Sequence, residues 1–152
     1  TEMSAARDAL VAANQPVRIG MTLEDDCSNR LRSGEPLSSA IEILADGPLE
    51  SVMINCSQPE TIPEALIELA NLGCAYGAYA NGFKTVAPLR PGGTVKDLEH
   101  RPEMNAEAFT AHALEWLQLG ATIIGGCCEI TPAHIQHLHQ ALLDRNIVAT
   151  SF

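Results

Sequence analysis

Two stretches of this 152-residue chain carry cysteine to the end of an apolar run. Ala121-Thr122-Ile123-Ile124 leads into Gly125-Gly126-Cys127-Cys128, and Ser51-Val52-Met53-Ile54 leads into Asn55-Cys56. Both read as places where a buried strand gives way to a loop or helix. Three thiolates gathered from two strand ends suit zinc. Catalytic zinc takes three protein ligands and keeps a fourth position open. An all-thiolate ligand set leaves that centre electron-rich, so it is poor at polarising water and good at holding a further thiolate. A free thiol, with a pKa of about 8.5, is mostly protonated at pH 7, and metal binding deprotonates it. That offsets roughly 2 kcal/mol of deprotonation cost. The expectation is that Cys56, Cys127 and Cys128 hold one Zn2+ and that the metal activates a thiol substrate. A zinc hydrolase would instead want a His or carboxylate ligand and a water base, and neither stands at a strand end.

Other chemistry-bearing residues read as structural. Cys27 and Cys74 are single cysteines of the kind that commonly fill a core. His134, His137 and His139 fall on one predicted helix and read as a solvated face, and Trp116 reads as core. Glu24-Asp25-Asp26 lacks the alternating ligand spacing of a calcium loop and reads as a solvated turn. Gly92-Gly93 has no strand before it and no Lys-Ser/Thr after it, so it is no phosphate cradle.

Bulk properties narrow the field. A hydrophobic fraction of 46% with 18% charged residues describes a soluble globular chain with a real core, expected to form a single domain over 1–152. The net charge of −10 argues against a nucleic-acid partner, whose phosphates want a basic surface. No apolar run is long enough to span a bilayer, so no membrane partner is expected. Five cysteines, an odd number with two of them adjacent, argue against a disulfide framework and for a reducing, cytoplasmic setting. The opening Thr1-Glu2-Met3 reads as part of something longer.

The elements that must position the cysteines follow from periodicity and punctuation. Helices are predicted over 3–14 (with Ser4 as a cap), 36–45, about 62–72, 104–119 and 132–144. Strands are predicted over 17–22, 51–56, 74–80 and 121–126. Thr61-Ile62-Pro63-Glu64 has the form of a capping box, Gly73 and Gly120 stop helices, and Thr131-Pro132 opens the last one. Residues 84–103, with three prolines, form a long loop. Gly125 and Gly126 are expected to bend the chain so that both neighbouring cysteines face one spot. One helix followed by four strand–helix units implies an α/β fold with a parallel sheet. An open doubly wound sheet and part of an eight-stranded barrel both fit, and functional residues sit at strand carboxyl ends in either.

Ile54-Asn55-Cys56 and Ile124-Gly125-Gly126-Cys127-Cys128, followed by Thr131-Pro132, resemble the homocysteine S-methyltransferase family. Met21-Thr22, Ser33-Gly34-Glu35-Pro36-Leu37 and Tyr79-Ala80-Asn81-Gly82 agree with it in order. The resemblance implies a (β/α)8 TIM barrel of which this chain supplies the carboxyl-terminal half. It implies zinc on Cys56, Cys127 and Cys128, homocysteine and a small methyl donor as substrates, and methionine as product. It implies that Glu2 holds the homocysteine amino group and that Asn81 lines the pocket, although Asn81-Gly82 is equally the signature of a plain turn. The family's Gly-Asp pair, on the first strand of its barrel, has no counterpart here. The partner expected for the two open sheet edges is therefore the amino-terminal half of the barrel or a second copy.

Overall fold

The computed structural model describes residues 2–89 and 93–150, so Gly92 and its neighbours 90 and 91 lie outside the described residues. The chain runs α1 (Glu2–Ala12), β1 (Arg18–Met21), α2 (Leu37–Ala45), β2 (Ser51–Asn55), α3 (Ile62–Leu69), β3 (Ala75–Ala80), α4 (Ala106–Gln118), β4 (Ile123–Gly126) and α5 (Pro132–Leu143). Each expected helix and strand is present, the strands a residue or two shorter than expected.

The strands form one parallel sheet in the order β1-β2-β3-β4. This order settles the choice left open by the sequence. A doubly wound sheet reverses its strand order at a switch point, whereas here each strand is added beside the one before, as in one side of a barrel. Residues paired in a parallel sheet share a face. Ile19, Val52, Tyr76 and, one pair further along, Met21, Ile54, Ala78 and Ile124 share one face. Val52, Ile54 and Ala78 are fully buried and belong to the core that the helices cover, with Leu37, Leu44, Leu66, Leu69, Phe109 and Trp116. The opposite, inner face carries Gly20, Met53, Asn55, Gly77, Tyr79, Ile123 and Gly125. Of these, Met53, Asn55, Tyr79, Ile123 and Gly125 are only partly buried.

Three glycines on the inner face, Gly20, Gly77 and Gly125, leave room beside its largest side chain, Tyr79. A methyl group on Gly20 would stand 2.6 Å from the Tyr79 hydroxyl, so the tyrosine crosses towards β1 in the space glycine leaves. With aromatics at 4% of the chain, few large rings are available to fill it.

Several local expectations are corrected. Ser4 lies inside α1 rather than capping it. Thr61 makes no capping bond, because a 3-10 turn over Pro59–Thr61 already runs into α3 and the Thr61 hydroxyl donates to the Gln58 carbonyl at 2.9 Å. His134 is no solvated residue. It is buried, its Nδ1 meets the Thr131 amide at 3.1 Å in a capping box, and its Nε2 meets the Met104 carbonyl at 2.9 Å. With Nε2 donating and Nδ1 accepting, one imidazole ties the start of α5 to the segment before α4. His137, exposed, meets the Thr110 hydroxyl of α4 at 2.9 Å. Trp116 is core as expected, edge-on to Phe109 with ring centroids 6.1 Å apart.

The acidic turn is likewise not simply solvated. The Asp25 carboxylate accepts from the Thr85 hydroxyl at 2.8 Å and the Val86 amide at 2.9 Å. It thereby pins the segment after β3 to the segment after β1. That long segment is organised by short 3-10 turns at Ala87–Leu89 and Val95–Asp97. Its return is held by Arg101, which grips Glu60 through two nitrogens at 2.7 and 3.0 Å.

Candidate metal centre

The rim at the strand carboxyl ends collects the cysteines. Cys56 directly follows β2, and its amide donates to the Tyr79 carbonyl of β3 at 3.0 Å. Cys127 directly follows β4 and donates to the Ala80 carbonyl at 2.8 Å. Both amides thus extend the sheet's hydrogen bonding past the strand ends. The sulfur atoms of Cys56, Cys127 and Cys128 all lie within 4.8 Å of one another, and Cys127 Sγ stands 3.8 Å from Cys128 Sγ. Three sulfurs on a tetrahedral zinc, each at the usual bond length, stand about 3.8 Å apart. The donor set and its spacing therefore fit that ion with small adjustment. Cys56 and Cys127 are half-buried, whereas Cys128 is exposed, so the cluster is open on one side.

The bend that aims the sulfurs is not where the glycines suggested. Neither Gly125 nor Gly126 is left-handed, but Cys56 has φ 44° and Glu129 has φ 66°. On β2 the even-numbered residues face the helices, and the left-handed turn at Cys56 takes its side chain off that course. On β4 the chain closes in a turn, the Ile130 amide donating to the Cys127 carbonyl at 3.2 Å. Glu129 occupies the turn's third position, where a left-handed residue is required and glycine is usual. Gly126 serves close packing instead, since a methyl there would run into the Ile130 side chain.

A left-handed non-glycine residue costs about 1–2 kcal/mol and persists only where its surroundings hold it. Two side chains hold Cys56. Asn81 Nδ2 donates to the Cys56 carbonyl at 2.7 Å and stands 3.8 Å from its sulfur. Arg32 Nη2 donates to the same carbonyl at 3.3 Å and to the Leu23 carbonyl at 3.2 Å. The Asn81 oxygen accepts from the Phe83 amide at 3.0 Å, and the residue is fully buried. Asn81 is thus more than a plain turn residue. It sits beneath the cluster, with its side chain committed to Cys56 and to its own turn. Ser57, also fully buried, completes the support: its hydroxyl donates to the Asn55 carbonyl at 2.9 Å and accepts from the Leu23 amide at 2.9 Å.

Electrostatics set the resting state of the thiols. Burial pushes the Cys56 thiol up to about 12, with the hydrogen bond to Cys127 and the charges of Cys127 and Cys128 adding to it. Burial also raises Cys128, reinforced by Cys127. Without a cation these groups keep their protons, because crowding thiolates together is unfavourable. Burial raises the Tyr79 phenol too, and the neighbouring Cys127 and Cys56 add to it, which places Tyr79 within electrostatic reach of the sulfurs.

Glu2 stands apart from the thiols. It is exposed at the first position of α1. It lines a trough of about 580 Å³ beside β1, together with Gly20, Thr22, Arg32, Ser33 and Glu35. Arg32 and Ser57 had no signature in the sequence that distinguished them, since each acts through contacts made between separate segments.

Comparison with known proteins agrees with this geometry. The homocysteine S-methyltransferase family profile matches residues 1–142. The selenocysteine Se-methyltransferase of Brassica oleracea var. italica is 27% identical over 78% of this chain and 34% of its own length. Homocysteine S-methyltransferase 1 of Zea mays is 31% identical over 76% of this chain and 35% of its own. The metallated form of the homocysteine methyltransferase MmuM from Escherichia coli superposes with a TM-score of 0.68 at 26% identity, over 92% of this chain and 41% of that one. The chain thus spans between a third and a half of the length of these relatives.

Proposed function

The chain belongs to the homocysteine S-methyltransferase family, and from that premise we propose that it carries the metal-binding half of an enzyme that methylates the thiol of homocysteine to give methionine. The observation that carries this reading is the convergence of three cysteine sulfurs from two separate strand ends. Cys56, Cys127 and Cys128 would hold one zinc ion, which when bound supplies a Lewis-acid position that lowers the pKa of an incoming thiol. Among the described residues the cluster contains no His or carboxylate, which suits a thiol acceptor better than hydrolytic water.

The protein's own part is positional. Asn81 and Arg32 fix the Cys56 backbone, and Asn81 also approaches the sulfur. The exposed side at Cys128 leaves room for the acceptor, and Glu2 would take its ammonium group. The acceptor's thiolate sulfur then forms a bond to the donor's methyl carbon as the bond to the leaving group breaks. Alignment of these atoms supplies much of the acceleration, since a thiolate is already a strong nucleophile. A small donor fits this scheme. The relatives' names include both a thiol and a selenol acceptor, and one site can serve either because both acceptors attack as anions. The cysteines, free among the described residues, suit a cytoplasmic setting.

The test is metal analysis of freshly reduced protein followed by homocysteine titration. One zinc per chain, lost in Cys127→Ser, with proton release as homocysteine is added, is the expected result. Metal content indifferent to that substitution would overturn the reading. A second reading, a half-barrel that binds metal and assembles without turnover, is favoured by the unpaired outer edges of β1 and β4. It predicts metal binding with no response to homocysteine.

A further inference from the structure

Arg32 sits between the thiol cluster and the trough beside β1. Its Nη2 donates to the Cys56 and Leu23 carbonyls, while the side chain also lines the trough that Glu2 faces. Its other nitrogens, Nε and Nη1, make no hydrogen bond among the described residues. The arginine is half-buried. A cation withdrawn from water ordinarily finds an acid, because desolvation disfavours an unpaired charge. Arg7, Arg18 and Arg101 each have one, in Asp8, Glu50 and Glu60. Arg32 meets only two carbonyls among the described residues, which leaves its planar fork short of an anion.

We propose that Arg32 binds the α-carboxylate of the amino-acid acceptor and so sets the site's preference for amino-acid thiols over simple thiols. This rests on the thiol-acceptor reading given above. An amino-acid thiol carries its anion and its cation on one carbon, a short aliphatic arm from the sulfur. The chain joins two of the groups needed: the sulfurs of Cys56, Cys127 and Cys128, and a guanidinium bonded to the backbone of Cys56 that also lines the trough beside β1. Arginine suits the task because its fork matches a carboxylate with parallel donors. The two carbonyl contacts fix the guanidinium beforehand, so little side-chain freedom remains to be lost on binding.

The experiment uses protein loaded with cobalt(II), whose thiolate charge-transfer absorption reports a sulfur joining the metal. Homocysteine is compared with 3-aminopropanethiol, which is homocysteine without its carboxylate. Wild-type protein should favour homocysteine by about 10- to 100-fold, the range expected for hydrogen bonds to a charged group. Arg32→Met should collapse that preference, weakening homocysteine about 10- to 100-fold more than 3-aminopropanethiol, and Arg32→Lys should restore part of the difference. An Arg32→Met protein that keeps the preference overturns the proposal. So does one that loses both thiols equally, which would make Arg32 only a brace for Cys56. Wild-type protein that binds cobalt but shows no spectral response to either thiol would refute the thiol-acceptor reading itself, and the role of Arg32 with it.

Discussion

Cys56 is the most constrained of the three sulfur-bearing residues. Its left-handed backbone is held by Asn81 and Arg32 on one carbonyl, and only Asn81 is fully buried. Residues behind a metal ligand commonly govern affinity as strongly as the ligand's own setting does. Asn81→Ala should therefore weaken zinc binding by about 10- to 100-fold, measured by competition with a chromophoric chelator. It should also cost about 1–3 kcal/mol of stability by leaving the Cys56 carbonyl short of a donor. Unchanged affinity would show the Asn81 contacts to be incidental. Glu129 offers the opposite case. It holds a left-handed turn position and, among the described residues, its carboxylate has an exposed contact to His100 at 3.2 Å. Glu129→Gly should raise stability by about 0.5–1 kcal/mol in denaturant melts, since glycine takes that conformation without penalty and a surface ion pair contributes little.

At the scale of elements, the strands present the cysteines and the loops between them lock the rim. Arg101, its side chain 14% exposed, joins the segment after β3 to Glu60 at the start of α3. The hydrogen bond from Arg101 holds the Glu60 carboxyl below its ordinary value near 4.5. A carboxyl depressed in the folded state binds fewer protons there than in the unfolded chain. Its contribution is therefore present above the unfolded pKa and is lost as pH falls through the folded one. Glu60 is 40% exposed, so solvent screening keeps the effect to about 1 kcal/mol or less. Glu60→Gln should flatten the acid limb of stability below about pH 5 and lower stability at neutral pH, read from melts across that range. The elements themselves were legible in the sequence, because apolar runs, Gly73, Gly120 and Thr131-Pro132 are local signals. Cys56, Cys127 and Cys128 were legible because strand ends are where such folds place chemistry. Contacts across the sheet were not. Nothing near Arg32 or Asp25 in the sequence announces a carbonyl after β2 or a hydroxyl after β3. The capping box at Thr61 failed for a related reason, as the preceding 3-10 turn satisfied the same groups first.

At the scale of the whole molecule, the sheet presents two outer strands, β1 and β4, that pair on one side only among the described residues. Such an edge is a template for another strand. The relatives supply more chain than this one does: 41% of the metallated bacterial enzyme is matched here. The complement we propose is the amino-terminal half of the barrel, which would close both edges at once. A second copy is the competing partner, and it is disfavoured electrostatically because each chain carries a net charge of −10. Amide exchange distinguishes the two. In the isolated chain the outward amides of Arg18–Met21 should exchange well ahead of those in β2 and β3, at every protein concentration, since no strand covers them. On mixing with a polypeptide comprising the amino-terminal barrel half of a relative, they should slow to the rate of the central strands. Protection of β1 that rises with the concentration of this chain alone would instead assign the edge to a second copy and make the half-barrel a homodimer.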